Sequence, residues 1–169
     1  MSTAAWRFIF AFAALFLLSE VNVSSAQEKK EKQDKQEKEV AYPKLPAGAG
    51  EIAKDAPKTF TETKSGLRYR VLRAGKVQKP KATDSVKVNY HGWLDGGKVF
   101  DSSYQRKEPI SFPLNRVIKG WTEGMQLVGE GGMIELEIPA KLGYGDRGAG
   151  DVIPGGATLH FLVELQKIE

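Results

Sequence analysis

The chain has 169 residues, a formal net charge of +4 from 25 basic and 21 acidic side chains, 41% hydrophobic residues, 18 glycines and no cysteine. That length suits one compact domain with accessory segments, since single domains run to about 100–150 residues. Disulfides, cysteine-based metal sites, thiol catalysis and a lipidated N-terminal cysteine are excluded, and a small charge built from interleaved acids and bases argues against nucleic-acid binding.

Residues 1–26 differ in kind from the rest. Arg7 is the only base before an uncharged apolar run over 8–18, and Ser24 and Ala26 present small residues to a signal peptidase, so a cleaved signal peptide ending before Gln27 is predicted. The run falls well short of the about 20 apolar residues that span a bilayer, so no stable membrane span is expected after cleavage and the product is expected to be exported. Residues 28–39 read EKKEKQDKQEKE, five lysines against five acids. Glu28 and Lys32, Glu31 and Lys35, and Asp34 and Lys38 have the acid-first spacing that favours helical ion pairs. Without an apolar face such a helix has nothing to pack against. Three prolines in 40–57, with Gly48 and Gly50, suggest a flexible, partly extended stretch. Residues 27–58 are therefore assigned to a charged, Pro/Gly-rich disordered linker, and 59–169 to the folded domain.

The first predicted element is a hairpin: β-forming residues over 59–63, a turn at Lys64, Ser65 and Gly66, then Leu67, Tyr69 and Val71 alternating with Arg68 and Arg70. Alternation returns in Val86, Val88 and Tyr90, in Ile134, Leu136 and Ile138 against Glu135 and Glu137, and in Leu159, Phe161, Val163 and Leu165. Half-buried antiparallel strands fit each run. Asp95, Gly96 and Gly97 mark a tight turn between two of them.

One segment has helical spacing. Over 119–128, Trp121, Met125 and Val128 fall on one side, with Gly129 placed to cap the end. Gly120 and Gly124 each weaken such a helix by about 1 kcal/mol, so burial must hold it. The expected fold is α+β: a curved antiparallel sheet of five or six strands, a half-barrel, around one short helix.

The same span carries VNYHG, VFDSS, PISFPL, VIKGW, GYG and IPGGATLHF in that order. Together these resemble the FKBP-type peptidyl-prolyl cis-trans isomerases over residues 59–169, and the leader is similar to that of exported bacterial members. The resemblance implies an isomerase that accelerates rotation about Xaa-Pro bonds in proline-containing peptides and unfolded exported proteins, binds macrolides and requires no cofactor or metal. It implies Trp121 as the pocket floor, with Tyr90, Phe100, Phe112, Val117, Ile118, Ile153 and Phe161 as substrate-binding lining. It further implies that the Ile118 backbone N–H and the Tyr144 hydroxyl hold peptide carbonyls, while Asp101 sits at the edge near the twisting amide; Asp101 and Tyr144 are the candidate catalytic residues.

The residue types suit that chemistry. Prolyl rotation breaks no bond; it must overcome about 18–20 kcal/mol of lost amide resonance. A dry apolar site disfavours the planar, more polar amide relative to the twisted one, and aromatic walls supply the dryness. Each residue also has a plainer reading, with Trp121 as core, Asp101 as the start of a turn and Tyr144 as a loop anchor. His91 and His160 stand apart from any acidic cluster and are read as structural or surface residues. A peptide-binding chaperone or adaptor with little turnover is the alternative function. Ile110 stands where many family members carry an aromatic residue. Gly155 and Gly156 replace bulkier residues and suggest a looser loop. The charged loop from Asp146 to Asp151 offers a source of altered preference. A monomer is expected, because the leader is too short and too polar for a dimerisation domain.

Overall fold

The computed structural model describes residues 38–169; the predicted signal peptide and most of the charged leader lie outside the described residues. Seven strands form one antiparallel sheet: β1 (Thr61–Glu62), β2 (Arg68–Arg73), β3 (Ser85–Leu94), β4 (Val99–Ser102), β5 (Ile110–Pro113), β6 (Met133–Ile138) and β7 (Leu159–Ile168). Their order is β1-β2-β6-β7-β3-β4, and β5 also pairs with β3. The sheet is therefore six positions wide. Ten-residue β3 pairs with β4 near its end, at His91, Gly92 and Trp93, and with β5 near its start, from Ser85 to Val88. Between β4 and β5 lies a four-residue helix, α1 (Ser103–Arg106), which sequence periodicity does not reveal.

The expected turns are present. Gly66 donates its N–H to Thr63 O at 2.9 Å, closing the first hairpin. Gly96 and Gly97 adopt φ of 83° and 85°, the left-handed conformation that a tight turn between β3 and β4 requires.

The second helix, α2 (Lys119–Met125), packs on the inner face of the sheet and is shorter than the predicted 119–128. A side chain at Gly120 would approach Ile138 within 2.5 Å, and one at Gly124 would approach Leu136 within 2.7 Å. The two glycines that weaken α2 intrinsically are thus what let it lie directly on β6. Gln126, with φ −72° and ψ −5°, ends the helix. Gly129 serves elsewhere: a Cβ there would lie 1.7 Å from Lys76 O, so it permits a backbone crossing and does not cap α2.

The core between α2 and the sheet contains Leu67, Val86, Val88, Leu114, Met125, Ile134, Leu136 and Val163, all fully buried. The outer face departs from the half-buried expectation. Leu72, Met133 and Leu162 form a second buried cluster beneath Tyr42, Leu45, Ile52 and Ala56, and Trp93 packs against it. Residues 40–58, read as a flexible linker, thus form a strap packed against the sheet. Arg70 helps fasten it: its Nη1 donates to Val40 O at 2.7 Å and Lys58 O at 3.0 Å, and its Nη2 to Ala41 O at 2.8 Å. The strap has neither a helical nor a strand period, so nothing in its sequence announces burial.

Candidate functional site

Five elements bring their aromatic residues together. From α2, Trp121 is 5% exposed and meets Phe161 of β7 at a 5.1 Å ring separation, Phe112 of β5 at 5.2 Å and Tyr90 of β3 at 5.5 Å. All three are edge-on contacts, the arrangement aromatic quadrupoles favour over face-to-face stacking. Phe100 of β4 meets Phe161 edge-on at 5.4 Å. β3 can pass under these rings because position 92 is glycine: a Cβ there would lie 2.7 Å from both Phe100 Cζ and Phe161 Cε1.

Val117 and Ile118, immediately before α2, are half-buried against the same apolar cluster, and Ile153 is buried within it. Ile118 accepts from Trp121 N–H at 2.9 Å, which starts the helix, while its own N–H has no acceptor among the described residues. Ile153 is fixed by reciprocal backbone bonds with Ala149 at 2.9 and 3.1 Å. Tyr144 is 43% exposed and opens a 3₁₀ turn (Gly145–Arg147); its hydroxyl has no hydrogen-bond partner among the described residues. The structure therefore joins Tyr90, Phe100, Phe112, Val117, Ile118, Trp121, Ile153 and Phe161 in one cluster, and leaves Tyr144 as an exposed loop residue.

At the edge of this cluster Asp101 accepts a hydrogen bond from the Tyr90 hydroxyl and pairs with Arg106. Ser102 N–H donates to Asp101 Oδ1 at 2.8 Å, and Arg106 Nη2 donates to the Tyr90 hydroxyl oxygen at 2.9 Å. Partial burial acts to raise the Asp101 pKa. The Tyr90 and Arg106 hydrogen bonds, the Arg106 charge and the Ser102 N–H outweigh it and hold the carboxyl below its ordinary value. Tyr90 is raised, first by burial and then by Asp101, with Arg106 opposing. The hydroxyl thus keeps its proton and Asp101 keeps its charge. Arg106 is the member that sequence reasoning missed. Its only signal is a base five residues after Asp101, a spacing that becomes contact because α1 turns the chain back.

One other expectation changes. A Cβ at Gly155 would lie 2.0 Å from Asp146 O, and Gly156 has φ of 75°, so these glycines allow a close-packed turn where a looser loop was expected. His91 and His160 lie on the opposite face of the sheet, flanking Trp93, with ring separations of 5.7 Å in both cases. His91 is lowered by burial. Among the described residues, no three His, Asp or Glu side chains converge as a metal site.

Residues 76–166, more than half the chain, match the family profile of the FKBP-type peptidyl-prolyl cis-trans isomerases. The chain belongs to this family. The FKBP-type match includes every residue of the aromatic cluster and the Asp101–Arg106 pair. A probable FKBP-type peptidyl-prolyl cis-trans isomerase of Haemophilus influenzae is 54% identical over 108 residues, covering 64% of this chain and 45% of that protein. An FKBP-type isomerase of Aeromonas hydrophila, FkpA, is 55% identical over 107 residues, covering 63% of this chain and 40% of its own. The chain thus spans under half the length of these two relatives. The crystal structure of FkpA from Escherichia coli superposes with a TM-score of 0.63 at 38% identity, covering 93% of this chain and 63% of that one.

Proposed function

We propose that this FKBP-type domain is a peptidyl-prolyl cis-trans isomerase that accelerates rotation about Xaa-Pro bonds. One observation carries the reading: Trp121 lies beneath the rings of Tyr90, Phe112 and Phe161, with the paired Asp101 carboxylate at the edge. A proline ring seated on Trp121 would displace water from that apolar surface. There the planar amide, with its larger charge separation, loses more solvation than the twisted amide does, so the barrier of about 18–20 kcal/mol falls. Phe100, Val117, Ile118 and Ile153 extend the lining. The open Ile118 N–H and the free Tyr144 hydroxyl are suited to hold the carbonyls flanking proline, and holding them orients the bond that rotates. Asp101, charged and fixed by Arg106, supplies a negative field beside the amide.

The substrates in this reading are proline-containing peptides in unfolded exported proteins. The protein acts outside the cytoplasm after removal of residues 1–26, as a monomer, and macrolides compete for the aromatic site. No helix among the described residues is long and apolar enough to cross a membrane. The test is isomerisation of an Xaa-Pro peptide by the purified chain, with and without a macrolide. Acceleration abolished by the macrolide is the expected result. Peptide binding without acceleration would reduce the site to a chaperone-like binding module.

A further inference from the structure

Helix α1 reaches both faces of the sheet. Arg106, its last residue, meets Asp101 and Tyr90 on the aromatic side. Tyr104, two positions earlier, is 9% exposed and donates its hydroxyl to Glu164 Oε1 at 2.9 Å. Glu164 belongs to the other face of β7, because its neighbours Val163 and Leu165 point into the main core. The same Oε1 accepts Gly50 N–H of the strap at 2.6 Å, and Oε2 pairs with Arg73 Nη2 at 3.2 Å. Arg73 also donates to Glu51 O at 2.8 Å. One carboxylate on the back of the sheet therefore ties the strap, β2 and α1 together.

A helix of four residues has no stability of its own, so anchors must set its orientation. Ser103 fixes its start, accepting Tyr90 N–H at 2.8 Å and donating to Asn89 Oδ1 at 3.0 Å. The next side-chain anchor is the Tyr104 hydroxyl, and the chain then leaves through Lys107 in the left-handed region at φ 56°. With its start and its back held, the helix has one direction left for Arg106. We infer that Tyr104, held by Glu164, is a positioning residue that aims Arg106 at Asp101 and Tyr90. Burial, then the charge of Glu164 and its hydrogen bond, push the Tyr104 pKa up against a smaller effect of Arg73, so its hydroxyl remains a donor.

The kinetic side of this inference rests on the isomerase reading; the structural side does not. Tyr104→Phe in the full chain keeps the ring and removes only the anchor. The Asp101 carboxyl titration, followed by NMR, should move up toward the ordinary range. Turnover of an Xaa-Pro peptide should fall about tenfold with KM within about twofold, as expected when a group is misaimed and the substrate site is intact. Glu164→Gln, which keeps an acceptor oxygen, should retain most of the turnover. Tyr42→Phe removes a strap bond to Ala56 O away from α1 and should leave the Asp101 titration unchanged. In an Arg106→Ala background, Tyr104→Phe should add nothing, because the two changes act on one element. An Asp101 titration unmoved by Tyr104→Phe, or a full additional loss in the Arg106→Ala background, overturns the inference. Inactivity of the parent chain would sink the isomerase reading, while the titration would still judge this one.

Discussion

Arg70 and Glu135 face each other across β2 and β6 with Nε and Oε2 2.6 Å apart and side chains 0% and 7% exposed, on the sheet face turned away from Trp121. The guanidinium also holds three strap carbonyls and lies within 4.7 Å of the Phe60 ring centre and 5.0 Å of the Tyr42 ring centre. Its planar fork makes these contacts together, which a lysine could not reproduce.

Removing this cation should be costly. Arg70→Met leaves Glu135 buried without its counter-charge and strands the strap carbonyls, so destabilisation of about 3–5 kcal/mol is expected in urea unfolding. Turnover per folded molecule should hardly change, since the pair lies behind the sheet. A loss below about 1 kcal/mol would show that the strap is not fastened through Arg70.

Trp121→Ala removes the ring beneath three others and should cost about 3–5 kcal/mol as well as most of the peptide turnover. Phe161→Ala should behave similarly. Deletion of residues 28–39 should leave small-peptide turnover close to that of the parent. Comparing kcat/KM for the three variants checks the placement, and a leader deletion worse than either aromatic truncation would overturn it.

Gly92→Ala adds one methyl group under Phe100 and Phe161, where neither ring has a flexible end to give way. Overpacking of this kind costs about 1–3 kcal/mol. Displaced rings should also lower kcat/KM, and near-ultraviolet circular dichroism of the aromatic cluster should report their movement. An unchanged spectrum with unchanged activity would mean that the approach is slack.

Asp101 titrates below its ordinary value of 3.8, which gives the pH dependence a definite sign. A depressed carboxylate contributes stability above the unfolded-state value and loses it as pH falls through the folded value. Between neutrality and about pH 5 the contribution should stay constant, and it should be lost progressively in more acid solution as first the unfolded and then the folded carboxyl takes up its proton. Its size is small, because the Asp101 side chain is 41% exposed and solvent screens the pair. Carboxyl titration by NMR should place the midpoint under 3.8 and should shift it upward in Arg106→Ala. A midpoint at or above the ordinary value would remove the basis for a permanently charged rim.

Much of this arrangement is legible in one dimension. Alternating apolar residues in β3, β6 and β7 point to the inner face, paired glycines announce the β3–β4 turn, and the ordered aromatic motifs single out the residues that meet around Trp121. Legibility fails where burial has no period. Tyr42, Leu45, Ile52 and Ala56 sit among prolines, glycines and charges, yet they cover Leu72, Met133 and Leu162. It fails again at Arg106, whose partners are selected by a four-residue helix too short to leave a pattern.

The sequence by itself determined the strand-forming segments and the weak glycine-bearing helix, because side-chain periodicity and turn chemistry act over a few neighbouring residues; the members of the aromatic cluster came from the family resemblance of the ordered motifs. Only the tertiary structure decided that Gly120 and Gly124 serve contact with β6, that Arg70 and Glu135 are buried beneath a strap, and that Tyr90, Asp101 and Arg106 form one network. Those outcomes depend on which distant surfaces meet, and the free energy of removing an apolar or charged group from water is set by that meeting.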